Sequence, residues 1–147
     1  MVNELVPYLC VHDGVAAVDF YREAFGAEEV RRMPFKGDRR LLHAELSVGG
    51  RKLYLADDFP EMGSGKPRSP KALGGTPVTL HLNVADCDAV VAKATAAGAT
   101  AAMPPADMFW GDRFAKLVDP FGHEWSISSP LPPERARAAA AGAKEWT

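Results

Sequence analysis

The chain has 147 residues, 47% of them hydrophobic, a formal net charge of −2 and two cysteines, a size at which one compact domain buries a core without disulfides or a structural metal. The balanced charge, with no basic run longer than Arg31-Arg32 or Arg39-Arg40, argues against nucleic acid as a partner. No apolar run approaches the roughly 18 residues of a membrane span and no leader-like segment is visible, so the sequence predicts a cytoplasmic protein without a membrane partner.

The first half of the sequence predicts a strand, a helix and three further strands. Residues 6–11 have the β-branched and aromatic content of a strand. Asp13-Gly14 then offers a cap for a helix that ends near Phe25, where Gly26 favours a left-handed turn. The extended segments that follow, separated by Gly-containing turns, are 28–35, 40–48 and 52–57.

The second half repeats this order after a stretch rich in Pro, Gly and Ser at 59–77. A strand at 78–84 leads to Asp86, which caps a helix that ends at Gly98. The predicted segments that follow are a short strand at 100–103, a loop at 104–112, and strands at 113–118 and 123–129. The tail from Pro130 has high helix propensity but almost no apolar stripe, so we interpret it as an appendage that covers a sheet edge or a partner subunit.

Two motifs give the sequence a family resemblance. Asp19-Phe20-Tyr21 lies on the first predicted helix, and Asp119-Pro120-Phe121-Gly122 precedes the last strand. Together with the two β-α-β-β-β modules, they resemble the vicinal oxygen chelate superfamily, which contains glyoxalases, bleomycin-resistance proteins and dioxygenases. Phe109-Trp110-Gly111-Asp112-Arg113, followed by the segment 119–125, is similar to its PhnB-like branch.

The resemblance implies an α+β fold in which the two βαβββ modules form a curved mixed sheet around a cavity. It also implies a homodimer, and the long apolar segment from Met103 to Trp110 agrees with a covered surface. One domain would span residues 1–147. Its expected parts are module one at about 4–58, a linking loop at about 59–77, module two at about 78–129 and a C-terminal tail at 130–147.

Strand alternation assigns the side chains of the predicted strands to two faces. In the first module Leu42, Ala44 and Leu46 should meet the helix. In the second module Leu80, Leu82 and Val84 should do so. The side chains left on the cavity face are then Val6, Tyr8, Cys10, His43, Glu45, Ser47, Tyr54, Thr79, His81 and Asn83.

Metal-dependent relatives carry His or Glu at four strand positions, which the resemblance places on Val6, Tyr54, Thr79 and Ser126. None of these is a His or a carboxylate, and such sites need about three imidazole or carboxylate ligands. We therefore predict no metal and no cofactor. A rival pair, His81 with Glu124, should be offset by about four residues, roughly 13 Å, which is too far for one ion.

Two aromatic residues and one arginine near the end of the second module need separate interpretation. Trp110 lies beside Phe109, and this pair either closes over the cavity and stacks on a flat ligand or anchors its loop to the core. Trp125 shares the helix side with Ile127 and is assigned to the core. Arg113 is interpreted as part of a structural ion pair rather than as an anchor for an anionic ligand.

The predicted ligand-binding cavity contains eight residues, and no residue is assigned a catalytic role: Tyr8, His43, Glu45, Tyr54, Thr79, His81, Trp110 and Ser126. The leading hypothesis is metal-independent binding or sequestration of a hydrophobic or aromatic small molecule. The alternative is a divergent lyase, isomerase or dioxygenase that chelates a divalent ion with His43, Glu45, His81 or Glu124. A noncatalytic interaction module is a third reading, and whether the protein is an enzyme stays open.

Overall fold

The structure, a computed structural model, describes residues 1–143 and divides into two compact units. Unit 1 contains residues 1–76 and 120–122, and unit 2 contains residues 77–119 and the chain from 123 on. Each unit has a four-stranded mixed sheet with a helix packed on it, so the predicted α+β class and the two βαβββ modules are confirmed. None of the helices within residues 1–143 combines the length and apolarity that a membrane crossing requires.

Unit 1 has the strand order β1-β4-β3-β2, in which β1 is parallel to β4 and the other pairs are antiparallel. Its main elements are β1 (Tyr8–Val11), α1 (Gly14–Phe25), β2 (Glu28–Pro34), β3 (Leu41–Val48) and β4 (Arg51–Asp57). The stretch predicted as a linking loop contains a 3₁₀ turn (Pro60–Met62) and the short helix α2 (Pro70–Leu73). Ser69 caps α2 by accepting from the Ala72 N–H.

Unit 2 repeats this topology with the order β5-β8-β7-β6. Its elements are β5 (Thr79–Asn83), α3 (Cys87–Ala96), β6 (Thr100–Asp107), β7 (Asp112–Val118), β8 (Glu124–Pro130) and α4 (Pro133–Ala141). The prediction that the strand after α3 ends at Met103 is wrong, because β6 continues to Asp107. It is an outer strand with one unpaired edge and register shifts after Ala101 and Met103, so Pro104 and Pro105 fit there without a donor.

The carboxylate of Asp57, at the end of β4, fixes the start of α1. It is buried, and its two oxygens accept hydrogen bonds from the backbone N–H of Gly14 at 3.0 Å and of Leu41 at 2.6 Å. A Cβ atom on Gly14 would clash with Asp57 Oδ2. The side chain of Asp57 thus joins the helix, β3 and β4, and glycine at position 14 leaves room for it.

The core of each unit lies between its sheet and its helix. In unit 1 the buried helix residues include Phe20 and Tyr21, whose rings lie 6.1 and 6.2 Å from that of Phe121. In unit 2, Trp125 is buried and its indole N–H donates to Asp119 Oδ2 at 2.8 Å. The assignment of Trp125 to the core is therefore confirmed.

The start of β3 departs from the predicted alternation. Ala44 and Leu46 are buried as expected, but Leu42 is exposed and Leu41 is buried instead. The register with β2 shifts at this point, because Met33 pairs with His43 while the next residue, Pro34, pairs with Leu41. One additional β3 residue is inserted there, as in a β-bulge, so the prediction that Leu42 faces the helix is wrong.

The C-terminal helix α4 lies against β6, the outer strand of unit 2. Arg135 donates two hydrogen bonds to the carboxylate of Asp107, at 3.0 and 2.6 Å. Of the two predicted roles of the tail, the structure shows the first, which is contact with a sheet edge. The last four residues of the predicted tail, 144–147, lie outside the described part of the chain.

Candidate functional site

Each sheet has one face covered by its helix, and we call the other face the open face. In unit 1 the open face carries a cluster of three rings, those of Tyr8, His43 and Tyr54. The ring centroid of Tyr8 lies 5.3 Å from that of His43 and 5.4 Å from that of Tyr54, and the centroids of His43 and Tyr54 lie 4.9 Å apart. All three ring contacts are edge-on. Such edge-to-face contacts stabilise aromatic pairs beyond the area that they bury. The structure thus brings together three of the predicted site residues.

Tyr8 and His43 are also joined by a hydrogen bond of 2.6 Å between the phenol oxygen and Nδ1. Burial, and secondly the neighbouring Tyr54, raise the pKa of Tyr8, so the phenol is protonated at neutral pH. It can therefore donate to Nδ1, which leaves the proton of a neutral imidazole on Nε2 of His43. This orders the ring and leaves Nε2–H available to an acceptor.

Glu45 lies on the same open face, two residues after His43 along β3. Its cross-strand neighbours are Tyr54 in β4 and Arg31 in β2. Among residues 1–143, its carboxylate forms no ion pair within 4.0 Å and no hydrogen bond. Glu45 is thus a half-buried carboxylate beside the ring cluster, and it is available to a ligand.

On the open face of unit 2, His81 is the centre of a polar network. Its Nδ1 lies 2.7 Å from Ser126 Oγ, and its Nε2 lies 3.0 Å from both Asn83 Oδ1 and Ser128 Oγ. Because Asn83 Oδ1 can only accept, Nε2 carries the proton, and in the neutral ring Nδ1 accepts from the Ser126 hydroxyl. Ser128 also donates to Asn83 at 3.1 Å, so both serine hydroxyls are used inside the network.

An aromatic surface adjoins this network. The ring of Phe114 is stacked with His81 at 6.4 Å, and Trp110 meets Phe114 edge-on at 5.5 Å. Trp110 is 49% exposed in the turn between β6 and β7, whereas its neighbour Phe109, 5.1 Å away, is half-buried. Phe109 thus anchors the turn, and Trp110 presents an exposed indole ring.

Sequence reasoning missed Phe114, although the signal was present. In β7, Ala115 and Leu117 are buried on the helix side, so alternation places Phe114 and Lys116 on the open face. The predicted site residue Thr79 also lies on this face, but it is exposed and forms no hydrogen bond with a side chain of the network.

The strand register shows which residues lie opposite the predicted metal-ligand positions. Tyr54 pairs with Tyr8, and Ser126 pairs with His81. Glu124 pairs with Thr79, so His81 and Glu124 are offset by two residues, about 7 Å along the strands, and not by four. The error arises because a shift of two residues preserves the face of every side chain and is invisible to alternation.

The four predicted ligand positions do not carry the side chains that a zinc or iron site needs. They hold an aliphatic side chain and a phenol in unit 1, those of Val6 and Tyr54, and two hydroxyls in unit 2, those of Thr79 and Ser126. Within residues 1–143, no three His, Cys, Asp or Glu side chains are grouped so as to hold a metal ion. A zinc or iron site needs about three such ligands, and the donor set at these positions does not supply them.

Arg113 and a surface groove lie apart from these residues. Arg113 donates to Asp88 at 3.0 Å through two nitrogens and to Asp107 at 2.9 Å, which confirms its role in a structural ion pair.

An open groove of about 490 Å³ lies beside β2, and none of the predicted site residues lines it. The groove is lined by Arg22, Ala27 and the segment 28–32.

The chain is similar to a known protein family and to individual known proteins. The family model of the Glyoxalase/Bleomycin resistance protein/Dioxygenase superfamily matches residues 2–127. An uncharacterised protein of Mycobacterium bovis, Mb0911c, is 47% identical over 127 residues, which cover 86% of this chain and 83% of that protein.

Two solved structures are similar in fold and sequence. The Arabidopsis thaliana gene product At5g48480 has a TM-score of 0.69 and 30% identity, with 87% of this chain and 99% of that chain covered. TioX from Micromonospora sp. ML1 has a TM-score of 0.66 and 30% identity, with 88% of this chain and 100% of that chain covered.

Proposed function

This chain belongs to the glyoxalase/bleomycin resistance protein/dioxygenase superfamily, and we propose that within it the protein binds and sequesters a hydrophobic or aromatic small molecule without a metal ion. Binding alone would then be the biochemical function, with no bond made or broken. We place the protein in the PhnB-like branch, and the segments 109–113 and 119–125 support this finer assignment.

The observation that carries the proposal is the aromatic surface on the open face of unit 2. Trp110 is half exposed and rests edge-on against Phe114, which stacks on His81. A flat ligand placed against these rings would gain burial of apolar area and about 0.5–1.5 kcal/mol for each aromatic contact. The hydrogen bonds around His81 hold the surface in one conformation, which lowers the entropy cost of binding.

The donor set supports the metal-independent part of the proposal. An enzyme of the alternative class would use a divalent ion as a Lewis acid and needs an imidazole and carboxylate ligand set. The four positions at which the family resemblance places metal ligands carry Val6, Tyr54, Thr79 and Ser126, and none of these is a His or a carboxylate. No reaction step is therefore assigned to a metal ion.

We further propose that the protein is a homodimer. Apolar side chains are exposed on the outer part of unit 1, namely Val30, Met33 and Leu42. Exposed apolar side chains on neighbouring strands are typical of surfaces that pair with another chain. A second copy of the chain is the partner that the superfamily favours.

Isothermal titration of the purified protein with a panel of polyaromatic and glycopeptide compounds tests the binding proposal. We expect saturable binding of at least one polyaromatic compound and no bond changes in the recovered ligand. Elemental analysis of protein purified without chelators is the companion measurement. A stoichiometric metal would favour the enzyme, and no binding in the panel would contradict sequestration.

A further inference from the structure

Lys116 carries an uncompensated positive charge on the open face of unit 2. It lies in β7 between Ala115 and Leu117, which are buried on the helix side, and its cross-strand partner in β8 is Ser126. Within residues 1–143 its ammonium group forms no ion pair within 4.0 Å and no hydrogen bond. Lys116 is the one Lys or Arg that β5, β6, β7 and β8 place on this face.

Two carboxylates lie nearer the ends of the same face and do not neutralise Lys116. Glu124 is the partner of Val118 and is therefore diagonal to Lys116, and Asp112 begins β7. Neither forms an ion pair with Lys116 within 4.0 Å. The ammonium group is thus free to meet a charge that comes from outside the chain.

The aromatic surface and Lys116 are spaced to hold one small molecule. Phe114 and Lys116 are on the same face of β7, two residues apart, which is about 7 Å along a strand. The ring of Trp110 meets that of Phe114 edge-on at a centroid distance of 5.5 Å, and its indole N–H donates to no described residue. A ring against Phe114 would therefore have a cation within reach of a short substituent.

We propose that the small molecule bound by unit 2 is an aromatic compound with an anionic substituent, such as an aryl carboxylate, whose anion pairs with Lys116. This inference rests on the proposed function and adds the charge of the ligand to it. The hydroxyls of Ser126 and Ser128 donate within the His81 network, so they leave the anion to Lys116. A charge-assisted hydrogen bond of this kind is roughly twice as strong as a neutral one.

The test compares 1-naphthoate with 1-naphthamide, which has the same ring and nearly the same size but no charge. Isothermal titration should give at least a tenfold tighter Kd for naphthoate, about 1.4 kcal/mol. Lys116→Met should lower the affinity for naphthoate about tenfold and leave that for naphthamide unchanged. Lys93→Met removes an exposed lysine of α3 and should change neither, whereas Lys116→Arg should retain the preference for the anion.

Salt dependence gives a second readout, since raising the ionic strength should weaken naphthoate binding more than naphthamide binding. Equal affinities of the wild-type protein for the two compounds would overturn the inference but leave the proposed function standing. An equal effect of Lys116→Met on both compounds would also overturn it. If neither compound binds, the inference fails, and the wider ligand panel decides the proposed function separately.

Discussion

His81 and Ser126 are direct cross-strand partners, and Nδ1 of the imidazole lies 2.7 Å from Oγ of the serine. Ser126 is buried, with 6% of its surface exposed. Its hydroxyl and the ring therefore form a single polar unit in the centre of the open face. This unit positions the ring on which Phe114 stacks.

Replacing Ser126 should destabilise the protein, because the hydrogen bond between this serine and His81 is lost. We expect Ser126→Ala to lower the free energy of unfolding by about 1 kcal/mol, because Nδ1 of His81 loses its donor in a partly buried site. Chemical denaturation measures the change. Glu45→Gln is the control, since that carboxylate forms no hydrogen bond within residues 1–143, and its stability should match the wild type. Equal stability of both variants would show that the network does not hold His81.

A larger loss of unfolding free energy is expected when Asp57, which binds the start of α1, is replaced. In Asp57→Asn, an NH₂ group, which cannot accept a hydrogen bond, replaces one of the two carboxylate oxygens. The side chain then no longer accepts from both Gly14 N–H and Leu41 N–H, which donate to different oxygens of Asp57. The buried N–H group left without a partner should cost about 1–3 kcal/mol of unfolding free energy. Asp19→Asn, on the exposed side of the same helix, should cost far less. Similar losses for the two variants would contradict the role given to Asp57.

The register of the parallel strands marks the limit of prediction from this sequence. The order of strands and helices in both modules and the open-face positions of His43, His81 and Tyr54 follow from alternation and from cap residues, and the α+β class follows from the family resemblance. The pairing of Tyr8 with Tyr54 does not, because helix caps leave the strand register uncertain by two residues, and a shift of two keeps every side chain on its face. Alternation places Leu42 on the wrong face because an inserted residue in one strand leaves no compositional signal.

Acid should weaken the contacts that tie α3 and α4 to the sheet of unit 2. The hydrogen bond from Arg113 lowers the pKa of Asp88 from its ordinary value, and that from Arg135 lowers the pKa of Asp107. Because the folded pKa values are depressed, this stabilisation is present above the unfolded value and is lost as the pH falls through the folded values. A thermal melt should show a lower Tm below about pH 4.

Arg113→Met serves as the comparison for this pH dependence. The variant lacks the cation that depresses the pKa of Asp88, so its Tm should change less than that of the wild type over the same acid range. The difference in Tm between the two proteins should shrink at high salt, since the side chains of Arg113, Asp88 and Asp107 are partly exposed. Parallel curves for the two proteins would contradict the assigned cause.

The mass of the protein in solution tests the proposed homodimer directly. Light scattering coupled to size exclusion should give about twice the monomer mass of 15.8 kDa. Met33→Lys should shift the mass toward the monomer if the exposed apolar residues of unit 1 form the interface, because an unpaired charge would be buried there. A monomer mass for the wild-type protein at all concentrations would contradict the proposal.

Metal-independent binding of an aromatic ligand is the central claim, and one thermal-melt series tests it most directly. Zn²⁺, Ni²⁺ or Fe²⁺ should leave Tm unchanged, whereas a bound aromatic ligand at a hundredfold excess over its Kd should stabilise the protein by about 2.7 kcal/mol. Trp110→Ala should reduce the ligand-induced shift by on the order of 1 kcal/mol, because a stacking surface is lost. A metal-dependent rise in Tm that disappears in His81→Ala or Glu45→Ala would contradict the claim and favour a metal-dependent enzyme.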